Sequence, residues 1–156
     1  MHPKFQTVVD SLHGSFEVLT AAKPIEAKHA WSKTDTAGVY LFSENGRPLY
    51  VGRTNNLRRR YGLHTRPSSG DNQAVFAFRL AREITGFTAV AYAPGEGSRK
   101  WLAEHPPFKA AFVASKVRVS KMEYRYVYEP DPLRQCILEV YCAVVLGTPY
   151  NDFDNH

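Results

Sequence analysis

The chain has 156 residues, 44% of them hydrophobic and 13% aromatic, with a formal net charge of +5. This composition excludes a disordered chain, and the length suits one domain with a sizeable core. No apolar run approaches the roughly 20 residues that span a bilayer, and MHPKFQTVVD at the start lacks an apolar signal core. No membrane partner is expected, and the expected location is cytoplasmic. Cys136 and Cys142 fall on different faces of one expected helix, which argues against a disulfide or a zinc site.

In chain order, residues 5–13 read as a short helix ended by Gly14. Trp31 reads as a packing anchor in the mixed stretch that follows. Residues 38–43 and 49–52 are short, apolar and β-rich, a hairpin around Asn45-Gly46. Thr54 or Asn55 caps a helix that runs to about His64. Residues 66–70 form a loop, and Asp71 caps a second helix over 72–84, ended by Gly86. Residues 87–93 read as a strand and 94–97 as a turn. Ser98 caps a short helix to His105, and a further helical piece covers about 108–115. Residues 117–128, VRVSKMEYRYVY, read as a long strand. Asp131 as cap and Pro132 at the first position start a last helix, which ends at Gly147. The order gives an α/β (α+β) fold: a small antiparallel or mixed sheet of about three strands, flanked by helices.

The charge is unevenly spread. Between Glu44 and Asp71 there is no acidic residue, and that window holds Arg47, Arg53, Arg58, Arg59, Arg60 and Arg66. Such a patch beside aromatics is either a phosphate footprint or a solvated basic surface with no partner. On the helix after the hairpin, Leu57 and Tyr61 mark the apolar face. At 100° per residue Arg60 lies about 60° from Leu57 and His64 about 20° to the same side. Arg58 and Arg59 turn toward water. Arg60 is then a phosphate ligand or a side chain whose stem covers the core edge, and His64 a ligand or a core histidine. In the last helix, CILEVYCAVVL carries one charge, Glu139. A carboxylate there needs a cation, and either a divalent metal or an arginine provides one.

GVY at 38–40, YVG at 50–52, Arg60, His64, Glu139 and Asn151 together resemble the GIY-YIG nuclease superfamily. GVYLF and LYVGRTNNLRRRYGLH are similar to its N-terminal half, and ILEVYCAVVLGTPYN to its C-terminal half. Val39 and Val51 replace the family's isoleucines. The resemblance covers about 36–66 and 117–152 of a single nuclease domain spanning 1–156. Residues 1–35 are then an N-terminal extension and about 67–116 a helical insertion.

The resemblance implies a Mg²⁺- or Mn²⁺-dependent endonuclease that hydrolyses phosphodiester bonds in DNA with one ion per site. Tyr40 is then the general base, with its pKa lowered by Arg60 and the metal. Tyr50 orients water or phosphate, Arg60 clamps the phosphate, and His64 takes the proton or bonds the phosphate. Glu139 holds the metal, and Asn151 fixes backbone nearby. Arg47, Arg53, Arg58, Arg59 and Arg66 contact nucleic acid. A restriction or defence nuclease is one form this takes, with Arg79, Arg82, Arg99 and Lys100 of the insertion reading sequence. The alternative is a catalytically degenerate nucleic-acid-binding module. The protein is expected to be a monomer in isolation or a homodimer on DNA.

A shared site also constrains the hairpin. With a plain two-residue Asn45-Gly46 loop, Tyr40 opposes Val51, and the two tyrosines face opposite sides of the sheet. The register must therefore slip by one, through an odd loop over 45–47 or a bulge near Pro48.

Overall fold

The computed structural model describes residues 1–26, 29–88 and 94–153. The chain forms two compact units, one of residues 1–60 with 122–156, the other of residues 61–121. No helix among the described residues is long and apolar enough to cross a membrane.

The first unit is built on three antiparallel strands, β1 (Gly38–Glu44), β2 (Arg47–Thr54) and β3 (Glu123–Tyr128), in the order β2-β1-β3. Asn45 and Gly46 both take left-handed geometry, with φ of 53° and 75°. This is the two-residue turn that suits the twist of a hairpin. Glu44 faces Arg47 and Ser43 faces Pro48. The register then shifts, so that Phe42 faces Tyr50 and Tyr40 faces Gly52. Leu49 is the extra residue. The odd loop is not used: the bulge beside Pro48 makes the one-residue slip.

That slip sorts the two faces. Val39, Leu41, Val51 and Val127 join Leu12 and Leu19 of helix α1 (Pro3–Ala21), and Leu138 and Cys142 of helix α6 (Pro132–Leu146), in one apolar core. The pairing puts Tyr40, Phe42, Tyr50, Tyr124 and Tyr126 on the other face. Helix α6 starts where expected, with the Asp131 carboxylate accepting from the Arg134 amide at 2.8 Å, and ends at Gly147 in left-handed geometry.

Helix α1 runs through Gly14, where the sequence predicts a stop. A glycine inside a helix costs about 1 kcal/mol. Burying Leu12 and Leu19 completely is worth roughly 1.5–3 kcal/mol each, so packing wins. Helix α2 (Leu57–Thr65) is capped by Asn56, whose side chain accepts from the Arg59 amide at 2.8 Å. The expected cap Thr54 accepts instead from the Asn56 amide.

Residues 61–121 comprise the end of α2 with α3 (Val75–Thr85), α4 (Arg99–Glu104) and α5 (Pro106–Ser120). The expected insertion, 67–116, lies inside this unit. Asp71 does not cap α3, because its carboxylate pairs with Arg99 at 3.0 Å. Helix α5 takes residues 117–120 from the expected strand. Phe108, Phe112, Ser115 and Val119 are all buried, and their spacing is helical. Phe78 of α3 packs on Phe108 and Phe112 with ring centroids 4.8 and 5.7 Å away. Those contacts outweigh the modest helix penalty of the valines at 117 and 119. Residues 89–93 of the strand expected over 87–93 lie outside the described residues.

A Cβ at Gly14 meets no atom within 4 Å. Gly14→Ala is therefore expected to stabilise the fold by about 0.5–1 kcal/mol. Urea unfolding checks this; an unchanged or lower midpoint contradicts the continuous helix.

Candidate active site

Tyr40 lies at the centre of the aromatic face and is 1% exposed. Its ring stacks on Tyr124 at 5.5 Å, meets Phe42 edge-on at 5.9 Å and lies 6.3 Å from Tyr50. The Tyr40 hydroxyl lies over its cross-strand partner Gly52. A Cβ built at Gly52 falls inside van der Waals contact with Tyr40 Oη and Cζ. At Gly38 a Cβ falls inside the Val127 carbonyl of β3. The glycines of GVY and YVG are thus set by close approach, one by a backbone and one by the tyrosine.

Arg60 reaches this face from α2, while Arg58 and Arg59 are exposed. Its Nε donates to Tyr40 Oη at 3.1 Å, and its guanidinium also bonds the Tyr50 side chain. Burial works against the guanidinium's charge, but Tyr40 and Tyr50 outweigh it, and its pKa is raised. The Tyr40 phenol is in the opposite position. Burial pushes it far above the usual tyrosine range, helped by Tyr50; Arg60 pulls it down and loses. Glu139 adds a smaller upward push, which places its carboxylate within electrostatic reach of the phenol. The expected lowering by Arg60 is present as a contribution, but it does not set the net direction.

Glu139 is half-buried on α6. Its Oε2 accepts from Arg53 Nε at 3.1 Å. Of the two ways to satisfy this carboxylate, the protein alone uses arginine. The β2 parity accounts for it: Arg53 is two residues beyond Val51 and so shares the helix-facing side. No group of three or more His, Cys, Asp or Glu that could hold a metal occurs among the described residues. A single hard carboxylate suits Mg²⁺, which keeps several waters and takes oxygens from a phosphate. The donor chemistry fits that ion and does not fit zinc.

Asn151 acts on backbone. Its Oδ1 accepts from the Val51 amide and its Nδ2 donates to the Val51 carbonyl, both at 2.8 Å. Thr148 Oγ1 donates to the same Oδ1 at 2.8 Å, and the Tyr150 amide donates to the carbonyl of the bulge residue Leu49 at 3.2 Å. The tail thus holds the outer edge of β2 on both sides of Tyr50. His64 is fully buried one turn beyond Arg60 in α2, within the 61–121 unit. Arg47 and Arg66 are exposed. Sequence reasoning missed Tyr124 under Tyr40 and the Arg53–Glu139 pair. Strand alternation signalled both, once the register was known.

Gly52→Ala is expected to cost about 1–3 kcal/mol by overpacking. The cost should be smaller in a Tyr40→Phe background, where the hydroxyl no longer collides. A double-mutant cycle by urea unfolding measures this; strict additivity contradicts the contact.

The family model of the GIY-YIG catalytic domain matches residues 36–126, more than half of the chain. The match takes in Tyr40, Tyr50, Arg60 and His64 and ends before Glu139 and Asn151. No curated protein and no solved structure matches the chain. The hairpin with its two tyrosines and two sterically required glycines, the antiparallel sheet and this match lead to one conclusion: the chain belongs to the GIY-YIG nuclease superfamily.

Proposed function

We propose that the protein is a divalent-metal-dependent endonuclease hydrolysing phosphodiester bonds in DNA. The observation that carries this reading is the Arg60 guanidinium bonded to both Tyr40 and Tyr50 on one face of the sheet. Arginine offers planar donors that match the non-bridging oxygens of a phosphate, and two phenols already orient it. Preorganised donors of this kind stabilise charge that develops in a transition state. Tyr40 acts in its phenolate form: Oη takes the proton from the attacking water and becomes the neutral phenol. Arg60 favours the phenolate beforehand, while burial holds its population small at neutral pH. Tyr50 orients the water or a phosphate oxygen. Asn151 keeps Val51, and with it the Tyr50–Gly52 segment, in place. His64 lies one turn beyond Arg60 on the same helix.

Glu139 is the residue to hold Mg²⁺ or Mn²⁺. When bound, that ion supplies charge neutralisation at the phosphate and the leaving oxygen. The exposed Arg47, Arg58, Arg59 and Arg66, with Arg53, supply positive charge toward the nucleic acid. A restriction or defence role is the finer reading, and a homodimer on DNA would give it two cuts. The second reading, a degenerate module that binds without cutting, has one observation in its favour: Glu139 is already paired with Arg53.

Tyr40→Phe and Glu139→Gln are each expected to lower kcat for plasmid cleavage in Mg²⁺ by about 100-fold or more, with DNA binding retained. Chelation with EDTA should abolish cleavage. Wild-type protein that shifts DNA in a gel but never cuts it decides for the binding module.

The raised phenol also sets a pH profile. Below its pKa the phenolate fraction grows tenfold per pH unit. Log kcat should therefore rise with unit slope to the top of the folded range, with no plateau at the ordinary tyrosine value near 10. A plateau near pH 7 excludes Tyr40 as the base in its buried setting.

A further inference from the structure

The 61–121 unit holds nine Lys or Arg against four Asp or Glu. The chain's whole formal charge of +5 therefore belongs to it, and the unit that carries Tyr40, Tyr50, Arg60 and Glu139 is neutral. Within the basic unit two guanidiniums lie over the Phe78 ring, and Arg79 is within electrostatic reach of one of them. Arg99 at the start of α4 lies 4.1 Å from the ring centroid and Arg82 of α3 lies 5.5 Å from it. Arg79 is one turn before Arg82. Arg82 and Arg79 both depress the Arg99 pKa by repulsion, behind burial as the main cause. Asp71 pairs with Arg99, and Lys100 follows it, exposed.

Like charges packed this closely repel. A concentration of positive charge attracts an anion of high charge density, and a duplex carries one phosphate charge per about 1.7 Å of axis. We infer that the 61–121 unit is a sequence-independent docking surface for the phosphate backbone of duplex DNA, centred on Arg79, Arg82, Arg99 and Lys100. This rests on the nuclease reading and deepens it: the 61–121 unit adds a capture surface to the arginines of the cutting unit. Base reading by these residues, the sequence-based expectation, is the competing outcome. Backbone contact sets affinity and salt dependence without regard to sequence, whereas a base contact is lost on one sequence only.

The test is anisotropy binding of the full chain to two unrelated DNA duplexes in EDTA, over a range of salt. The slope of log Kobs against log salt should fall in magnitude by about 2 to 3 in Arg79→Gln/Arg82→Gln/Lys100→Gln, at about 0.9 per lost contact, on both duplexes. Arg79→Lys/Arg82→Lys should keep the wild-type slope, which separates charge from misfolding. An unchanged slope in the Gln variant, or a loss confined to one duplex, overturns the inference. Should wild type fail to cut in Mg²⁺ while the slopes change as stated, the nuclease reading falls and the docking surface stands.

Discussion

The site depends on one extra residue in one strand. Leu49 has no partner in β1, and because side chains alternate along a strand, that insertion decides which face every later residue of β2 takes. Without it Tyr50 would point into the core shared by α1 and α6. With it Tyr50 joins Tyr40, Val51 enters the core and Gly52 comes to lie under the Tyr40 hydroxyl. The bulge is held from outside. The Tyr150 amide bonds the Leu49 carbonyl, and the Asn151 side chain bonds Val51 on both sides. A position near the C-terminus thus sets the geometry of a strand a hundred residues earlier.

Burial then sets the chemistry. Enclosing Tyr40 among Phe42, Tyr50 and Tyr124 stabilises the sheet and makes its phenolate costly. The same enclosure strengthens the Arg60 contact, since a charge at low dielectric interacts more strongly with its neighbours. The two effects oppose each other at one oxygen atom. On the proposed reading, their balance places the burden of activation on cationic charge brought to the site, such as an ion held by Glu139.

Much of this was legible in the sequence where local chemistry is decisive. Asn45-Gly46 demands its turn, Asp131-Pro132 its helix start and Gly147 its stop, and each is found in place. Strand parity requires the register slip, and the bulge beside Pro48 is the form it takes. The misreadings share one cause. Local propensity misplaces Gly14, Asp71 and residues 117–120, and each is overruled by tertiary packing: the burial of Leu12 and Leu19 on the same helix, the Arg99 pair, and Phe78 packed against α5. Glu139 was legible as a carboxylate in need of a cation. Its choice of Arg53 required the strand register, which no local pattern prints.

The central claim is that Tyr40 and Arg60 work as one unit on a phosphate. A kinetic double-mutant cycle with Tyr40→Phe and Arg60→Lys, on DNA cleavage in Mg²⁺, tests it most directly. The account predicts that the double variant is no slower than the slower single variant, as for groups that act together. Losses that multiply would show that the two residues act independently, and would contradict the site described.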